Sequence, residues 1–174
     1  MKERSAGPAR PKPLSAAYLD RAAIAYLQRF ASSSENLRRV LLRKARRRLL
    51  PDEPPGPDVE ALVAATVERA LRSGLLDDRS YAEAKTASLL RRGTSPRAVR
   101  ARLRQRGVPD EAVDAALAAD PPDEVALARR LAQRRRLGRW RTADRHASPE
   151  KDVASLCRAG FSYAVARAAL REEE

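Results

Sequence analysis

Cysteine occurs once in this chain, at Cys157, and histidine once, at His146. One cysteine excludes an intrachain disulfide, and one of each falls short of the four-ligand Cys/His sets of structural zinc sites. The composition fits a reducing compartment. Aromatic residues fill 4% of positions and isoleucine appears only as Ile24, so residues that favour strands are scarce. No apolar run approaches the roughly 20 residues needed to span a bilayer, and the segment Met1–Pro8 has no apolar stretch of secretory type. A soluble cytoplasmic protein without a membrane partner is expected. What the chain has in abundance is arginine: 31 of its 36 basic residues, set against 23 acids for a net charge of +13. Together with 34 alanines and 21 leucines, these arginines make up about half of the 174 residues. Such a mix of helix formers predicts an all-α protein, and 43% hydrophobic residues suffice for a core without metal or disulfide staples.

Along the chain, residues 1–14 combine Pro8, Pro11 and Pro13 with Lys2, Arg4, Arg10 and Lys12 and read as a disordered basic tail. From Ser15, placed as an N-cap, Leu19, Ala23, Tyr26, Leu27 and Phe30 recur at helical spacing, predicting one buried stripe to about Ala31. A second helix after Ser32-Ser33-Ser34 would bury Leu37, Val40, Leu41, Ala45 and Leu49. Four prolines within residues 51–57 exclude regular structure there. A third helix from about Asp58 to Ser73 would turn Val59, Leu62, Val63, Val67 and Leu71 inward and stop at Gly74.

An internal repeat follows. Ser95-Pro96 and Ser148-Pro149 lie 53 residues apart, and the same offset relates Leu103 to Leu156, Gly107 to Gly160 and Leu117 to Leu170. At an offset of 62, Ser33, Leu37 and Leu41 precede Ser95, Val99 and Leu103, with Ala45 where the later units have glycine. Serine then proline supplies a side-chain acceptor at the N-cap and, at the first helical position, a residue with fixed φ and no N–H to satisfy. Glycine twelve residues on can take the left-handed conformation that ends the helix and turns the chain. The expected organisation is a tail at 1–14 and three three-helix repeats: 15–77, with the proline-rich loop 51–57; 78–119; and 120–174, with a basic linker at 137–147. Units this small bury little individually, so neighbours in the row should support one another.

Charge is concentrated in residues 34–50, 91–106 and 129–145, which together carry +20 and leave the remainder at −7. Arg38, Arg39, Arg43, Lys44, Arg91, Arg92, Arg97, Arg100, Arg104, Arg134, Arg135 and Arg139 are the candidate contacts to phosphates or to an acidic protein surface. Arg97, Arg100 and Arg104 form a stripe opposite Val99 and Leu103. A solvated helix face accounts for part of this charge, yet like charges at i, i+4 cost stability, so three such clusters favour a purpose. Trp140 reads as a partly buried anchor and Cys157 as a small core residue. His146 has no partner nearby in sequence and reads as a solvated loop residue. Asp77 and Asp78 read as cap and first-turn charge of a following helix. No phosphate-binding glycine loop, metal site, cofactor site or catalytic constellation is recognisable, and no enzyme is expected.

The segment Gly74-Leu75-Leu76-Asp77-Asp78-Arg79-Ser80-Tyr81-Ala82, then Arg91-Arg92-Gly93-Thr94-Ser95-Pro96, Leu103-Arg104-Gln105-Arg106-Gly107-Val108 and Gly160-Phe161-Ser162-Tyr163, resembles the RecX family of bacterial regulators of the RecA recombinase. The resemblance covers roughly residues 16–171 and is strongest over 74–117. Departures are Ala45 for glycine, the insertion at 51–57 and the longer linker at 137–147. In this reading Asp77, Asp78, Tyr81, Ser95, Pro96, Leu103, Gly107, Ser148, Pro149, Leu156 and Gly160 are structural repeat positions. The resemblance implies an elongated array of tandem repeats that binds in the groove of the RecA–DNA filament and suppresses ATP hydrolysis and strand exchange, touching DNA weakly or only through the filament; tandem repeats do not require a dimer, so a monomer is expected. Two other classes stay open: an autonomous nucleic-acid-binding protein of helix-turn-helix-like units, and a metal-dependent nuclease using Asp77, Asp78 and Glu83.

Overall fold

A computed structural model describes residues 14–48, 57–142 and 148–171. The tail residues 1–13, Leu49, the proline-rich segment 51–56 and His146 lie outside the described residues. Among the described residues the secondary structure is entirely helical, and the helices gather into two compact units, residues 1–77 and 78–174. None of these helices is long and apolar enough to cross a membrane.

The first unit consists of α1 (Ala16–Leu27), α2 (Ser34–Arg46) and α3 (Pro57–Arg72). Ser15 caps α1 by accepting the Tyr18 N–H, and Ser33 caps α2 by accepting that of Asn36. Leu19, Leu37, Leu41, Ala45 and Val63 are fully buried in one core, each large aliphatic among them contributing about 1.5–3 kcal/mol. Three expectations need correction. Leu14, assigned to the tail, is half-buried against this core, in the place of a hydrophobic staple just before the cap. Phe30 is 51% exposed because α1 ends at Leu27 and the chain leaves the helical register before the ring could turn inward. Leu71 is 40% exposed, Thr66 and Ala70 taking the inner face of α3 instead. Ala45 sits within α2, which ends in a right-handed cap at Arg47, so this unit has no left-handed turn where the later ones have glycine. Arg38 and Arg39 share Glu35 at 2.7 and 2.9 Å. The Arg38 hydrogen bond above all holds the Glu35 carboxyl below its ordinary pKa, so its small stabilising contribution is present at neutral pH and fades as pH falls through the lowered value.

The second unit contains two three-helix bundles. The first is α4 (Asp78–Arg91), α5 (Pro96–Gln105) and α6 (Asp110–Ala119); the second is α7 (Glu124–Arg135), α8 (Pro149–Arg158) and α9 (Tyr163–Leu170), with one 3-10 turn at Gly138–Trp140. Tyr81, Ala82, Val99, Leu103, Val113 and Leu117 form the first core. Leu127, Ala128, Ala132, Leu156, Phe161 and Ala166 form the second, and half-buried Leu90 packs against both. Cys157 and Trp140 are half-buried at the edge of the second core, Trp140 as the anchor expected and Cys157 less enclosed than expected. Asp77 immediately precedes α4 and Asp78 opens it. Both Ser-Pro pairs begin helices, and Gly107 and Gly160 end them at φ +70° and +96°.

The two serines differ, against expectation. Ser95 accepts the Ala98 N–H at 3.2 Å and donates its own proton to the Ala159 carbonyl at 2.7 Å, tying the start of α5 to the end of α8. Ser148 makes no side-chain cap bond, because its backbone (φ −145°, ψ 82°) departs from the extended conformation that aims Ser95 at its helix. Ser95→Ala is therefore expected to cost about 2 kcal/mol, a cap plus a deprived carbonyl, while Ser148→Ala costs under about 0.5 kcal/mol. Urea denaturation of the two variants distinguishes these values, and equal losses would contradict the assignment.

Candidate anion-binding cleft

The arginines segregate into two populations. On the exposed face of α5, Arg100 contacts Asp114 at 2.7 Å, and Arg104 forks onto both oxygens of Asp110 at 3.0 and 2.9 Å. Asp110, chiefly through its hydrogen bond, raises the already high pKa of Arg104. Two members of the stripe expected to face a partner are thus neutralised by acids of α6, while Arg97 is exposed and makes no ion pair among the described residues. Arg38 and Arg39 are likewise engaged by Glu35. Arg43 is exposed and Lys44 half-buried on α2 in the first unit, and Arg91 is exposed at the end of α4. Arg139 stacks its guanidinium 4.5 Å over the Trp140 ring, a cation–π contact.

The other population converges where the two bundles of the second unit meet. Arg92 from the α4–α5 turn, Arg102 from α5, Arg134 and Arg135 from the end of α7, and Arg158 from the end of α8 line a cleft of about 370 Å³. A second cleft, of about 410 Å³, shares Arg92 and Arg102 and adds Lys85 and Arg106. Among the described residues, no carboxylate lines either. The hydrogen bonds that place Arg134, Arg135 and Arg102 go to neutral oxygens, Arg134 to the Arg92 carbonyl, Arg135 to the carbonyl and hydroxyl of Ser155 (3.1 and 3.0 Å) and Arg102 to Thr94 (3.4 Å), while Arg106 donates to the Tyr81 hydroxyl (3.2 Å). A guanidinium has five N–H donors, so each retains donors for an incoming oxyanion.

Backbone packing holds the cleft in shape. Gly93, at φ +71°, brings its turn so close to α7 that a Cβ would lie 2.8 Å from the Leu127 carbonyl oxygen and 2.9 Å from the Leu131 nitrogen. Next to it, the Ser95–Ala159 bond joins the same turn to α8. A third cleft, near Gly138 and Arg167, is also rimmed by arginine but has the buried carboxylate of Asp152 in its wall, bonded to Arg141. Its field is correspondingly weaker.

Of the residues singled out in the sequence, Arg92, Arg134 and Arg135 come together here. Arg102, Arg158, Lys85 and Arg106 complete the two clefts and were not among them. Arg102 and Arg106 stand in the 91–106 charge cluster, which was the available signal; Arg158 and Lys85 stand outside every cluster. Among the described residues, no three His, Cys, Asp or Glu side chains come together as metal ligands.

Comparison with known proteins accords with this architecture. Residues 77–117 match the family described as "RecX, second three-helix domain". The chain is 40% identical over 171 residues to "Regulatory protein RecX" of Myxococcus xanthus, covering 95% of this chain and 91% of that protein. It is 35% identical over 147 residues to the protein of the same name from Thermobifida fusca, covering 83% and 75%. Two crystal structures share the fold: one of regulatory protein RecX, at TM-score 0.67 and 23% identity over 88% of this chain and 70% of that one, and one of RecX from Lactobacillus salivarius, at TM-score 0.64 and 20% identity over 89% and 94%. The extent of identity with these relatives, with the same all-helical fold, establishes that this chain belongs to the RecX family of regulatory proteins.

Proposed function

We propose that this protein is a non-enzymatic modulator, mainly an inhibitor, of the RecA recombinase, working in the cytoplasm as a monomer. It binds in the groove of the RecA–DNA filament and suppresses ATP hydrolysis and strand exchange. The observation that carries this reading is the 40% identity along 95% of the chain to a RecX regulatory protein, joined to the partner that the family resemblance implies. The arginine-lined clefts support it, offering preset guanidinium donors to an acidic protein surface. Helical units that each contribute a weak contact add up when several recombinase subunits are engaged at once, because every contact after the first is intramolecular. A bridge of this kind opposes the subunit motions of the active filament without chemistry by the regulator itself.

Titration into the recombinase of the same organism on single-stranded DNA, following ATP hydrolysis, tests the reading. Inhibition is expected with fewer copies of the regulator than of recombinase subunits, and it should persist when excess DNA is added. Relief by excess DNA, or no inhibition, would instead identify an autonomous nucleic-acid-binding protein, whose affinity for naked DNA falls steeply with salt through counterion release.

A further inference from the structure

The five arginines of the 370 Å³ cleft repel one another, and none has a carboxylate partner among the described residues. The acids that neutralise Arg100 and Arg104 show that this chain balances guanidiniums elsewhere on the same helix. The cleft is also preformed: the close approach of Gly93 to α7 and the Ser95–Ala159 bond fix its walls, so a ligand would not spend binding energy assembling it.

We propose that this cleft is a binding site for a compact polyphosphate: two or three linked phosphates, as in inorganic tripolyphosphate or the phosphate tail of a nucleoside triphosphate. Such a group concentrates several negative charges within a few bonds and offers paired oxygens to guanidinium forks. The cleft volume falls in the range of small-molecule sites. A nucleic-acid strand is the poorer fit. It spreads one charge over each nucleotide, and sequence-tolerant strand sites stack bases on aromatic side chains, none of which lines this cleft or the one adjoining it. For the same reason the affinity resides in the phosphates, and tripolyphosphate and ATP should bind alike. The proposal is independent of recombinase regulation.

Calorimetric titration of the full chain with tripolyphosphate, with ATP and with a poly-dT oligonucleotide tests it without recombinase present. One equivalent of tripolyphosphate should bind saturably at physiological ionic strength, with ATP similar and competitive. R102Q/R158Q should weaken binding about tenfold or more, each lost charge-assisted bond contributing to the loss. R21Q/R72Q, which removes the same charge from exposed positions of the first unit, should leave binding unchanged. A readout that needs no variant is arginine modification by phenylglyoxal: tripolyphosphate should protect Arg92, Arg102 and Arg158 but not Arg21 or Arg72. Equal weakening in both double variants, uniform protection, absence of saturation, or oligonucleotide binding with which tripolyphosphate does not compete would each overturn the proposal.

Discussion

Replacing Gly93 with alanine is expected to destabilise the second unit by about 3 kcal/mol, whereas Gly138→Ala costs about 1 kcal/mol. Both glycines lie in left-handed conformations, at φ +71° and +55°, where a side chain costs about 1–2 kcal/mol. Their surroundings separate them. At Gly93 the added carbon meets the Leu127 carbonyl and the Leu131 nitrogen, backbone atoms in the middle of α7 that cannot withdraw without bending the helix. Overpacking of this sort adds about 1–3 kcal/mol. At Gly138 the nearest atom, at 3.0 Å, is the Cδ2 tip of Leu170, which can rotate aside. Urea denaturation followed by Trp140 fluorescence reports on both, since Trp140 packs against the α7–α9 core. Equal midpoint shifts would mean that backbone conformation alone sets the cost and that the close approach to α7 carries none of it. Because Gly93 lines the arginine cleft, the alanine variant should also distort that cleft before the unit unfolds.

The features legible in the sequence are those with local chemical causes. A serine–proline pair, an inward leucine about two turns in and a closing glycine suffice to place α5 and α8, and Leu103 and Leu156 are fully buried at the matched positions. Local rules also mark where the reading fails. Ser148 has the right neighbours but not the backbone angles of a cap, and Phe30 keeps the right spacing after its helix has ended. The pairing of Arg104 with Asp110 has a local signal, since six residues and one tight turn separate them, but the acid stands on the next helix, and the periodicity of one helix face carries no information about its neighbour. The cleft was not legible. Arg102 adjoins buried Leu103, and periodicity tells which side of α5 faces its own core but not that another bundle stands beside it. Arg134, Arg135 and Arg158 become neighbours of Arg102 only through the packing of Gly93 on α7 and of Ser95 on Ala159.

Asp152→Ala is expected to cost about 3 kcal/mol, as does removal of one partner from other buried ion pairs. In the sequence this residue is an ordinary first-turn acid of α8. In the structure it is 5% exposed, accepts the Gly138 N–H at 2.9 Å and is bonded by the Arg141 guanidinium. It thereby fastens the segment carrying Arg139 and Trp140 to α8. Alanine deprives a backbone donor and a largely enclosed guanidinium of this acceptor at once, a larger penalty than the loss of any exposed pair such as Arg104–Asp110. Asp152→Asn retains an acceptor but not the charge and is expected to lose about half as much. Burial also makes the effect of Asp152→Ala nearly independent of salt, unlike that of Asp110→Ala, whose exposed pair is screened. Hydrogen exchange should place the damage in the α7–α9 bundle, with the amides of Gly138 to Arg141 exchanging first and those of α4–α6 unchanged. A loss below about 1 kcal/mol, the range of surface pairs, or one that vanishes in high salt, would show that water reaches this carboxylate and that contacts other than Asp152, the packing of Leu137 and Trp140 among them, hold the segment.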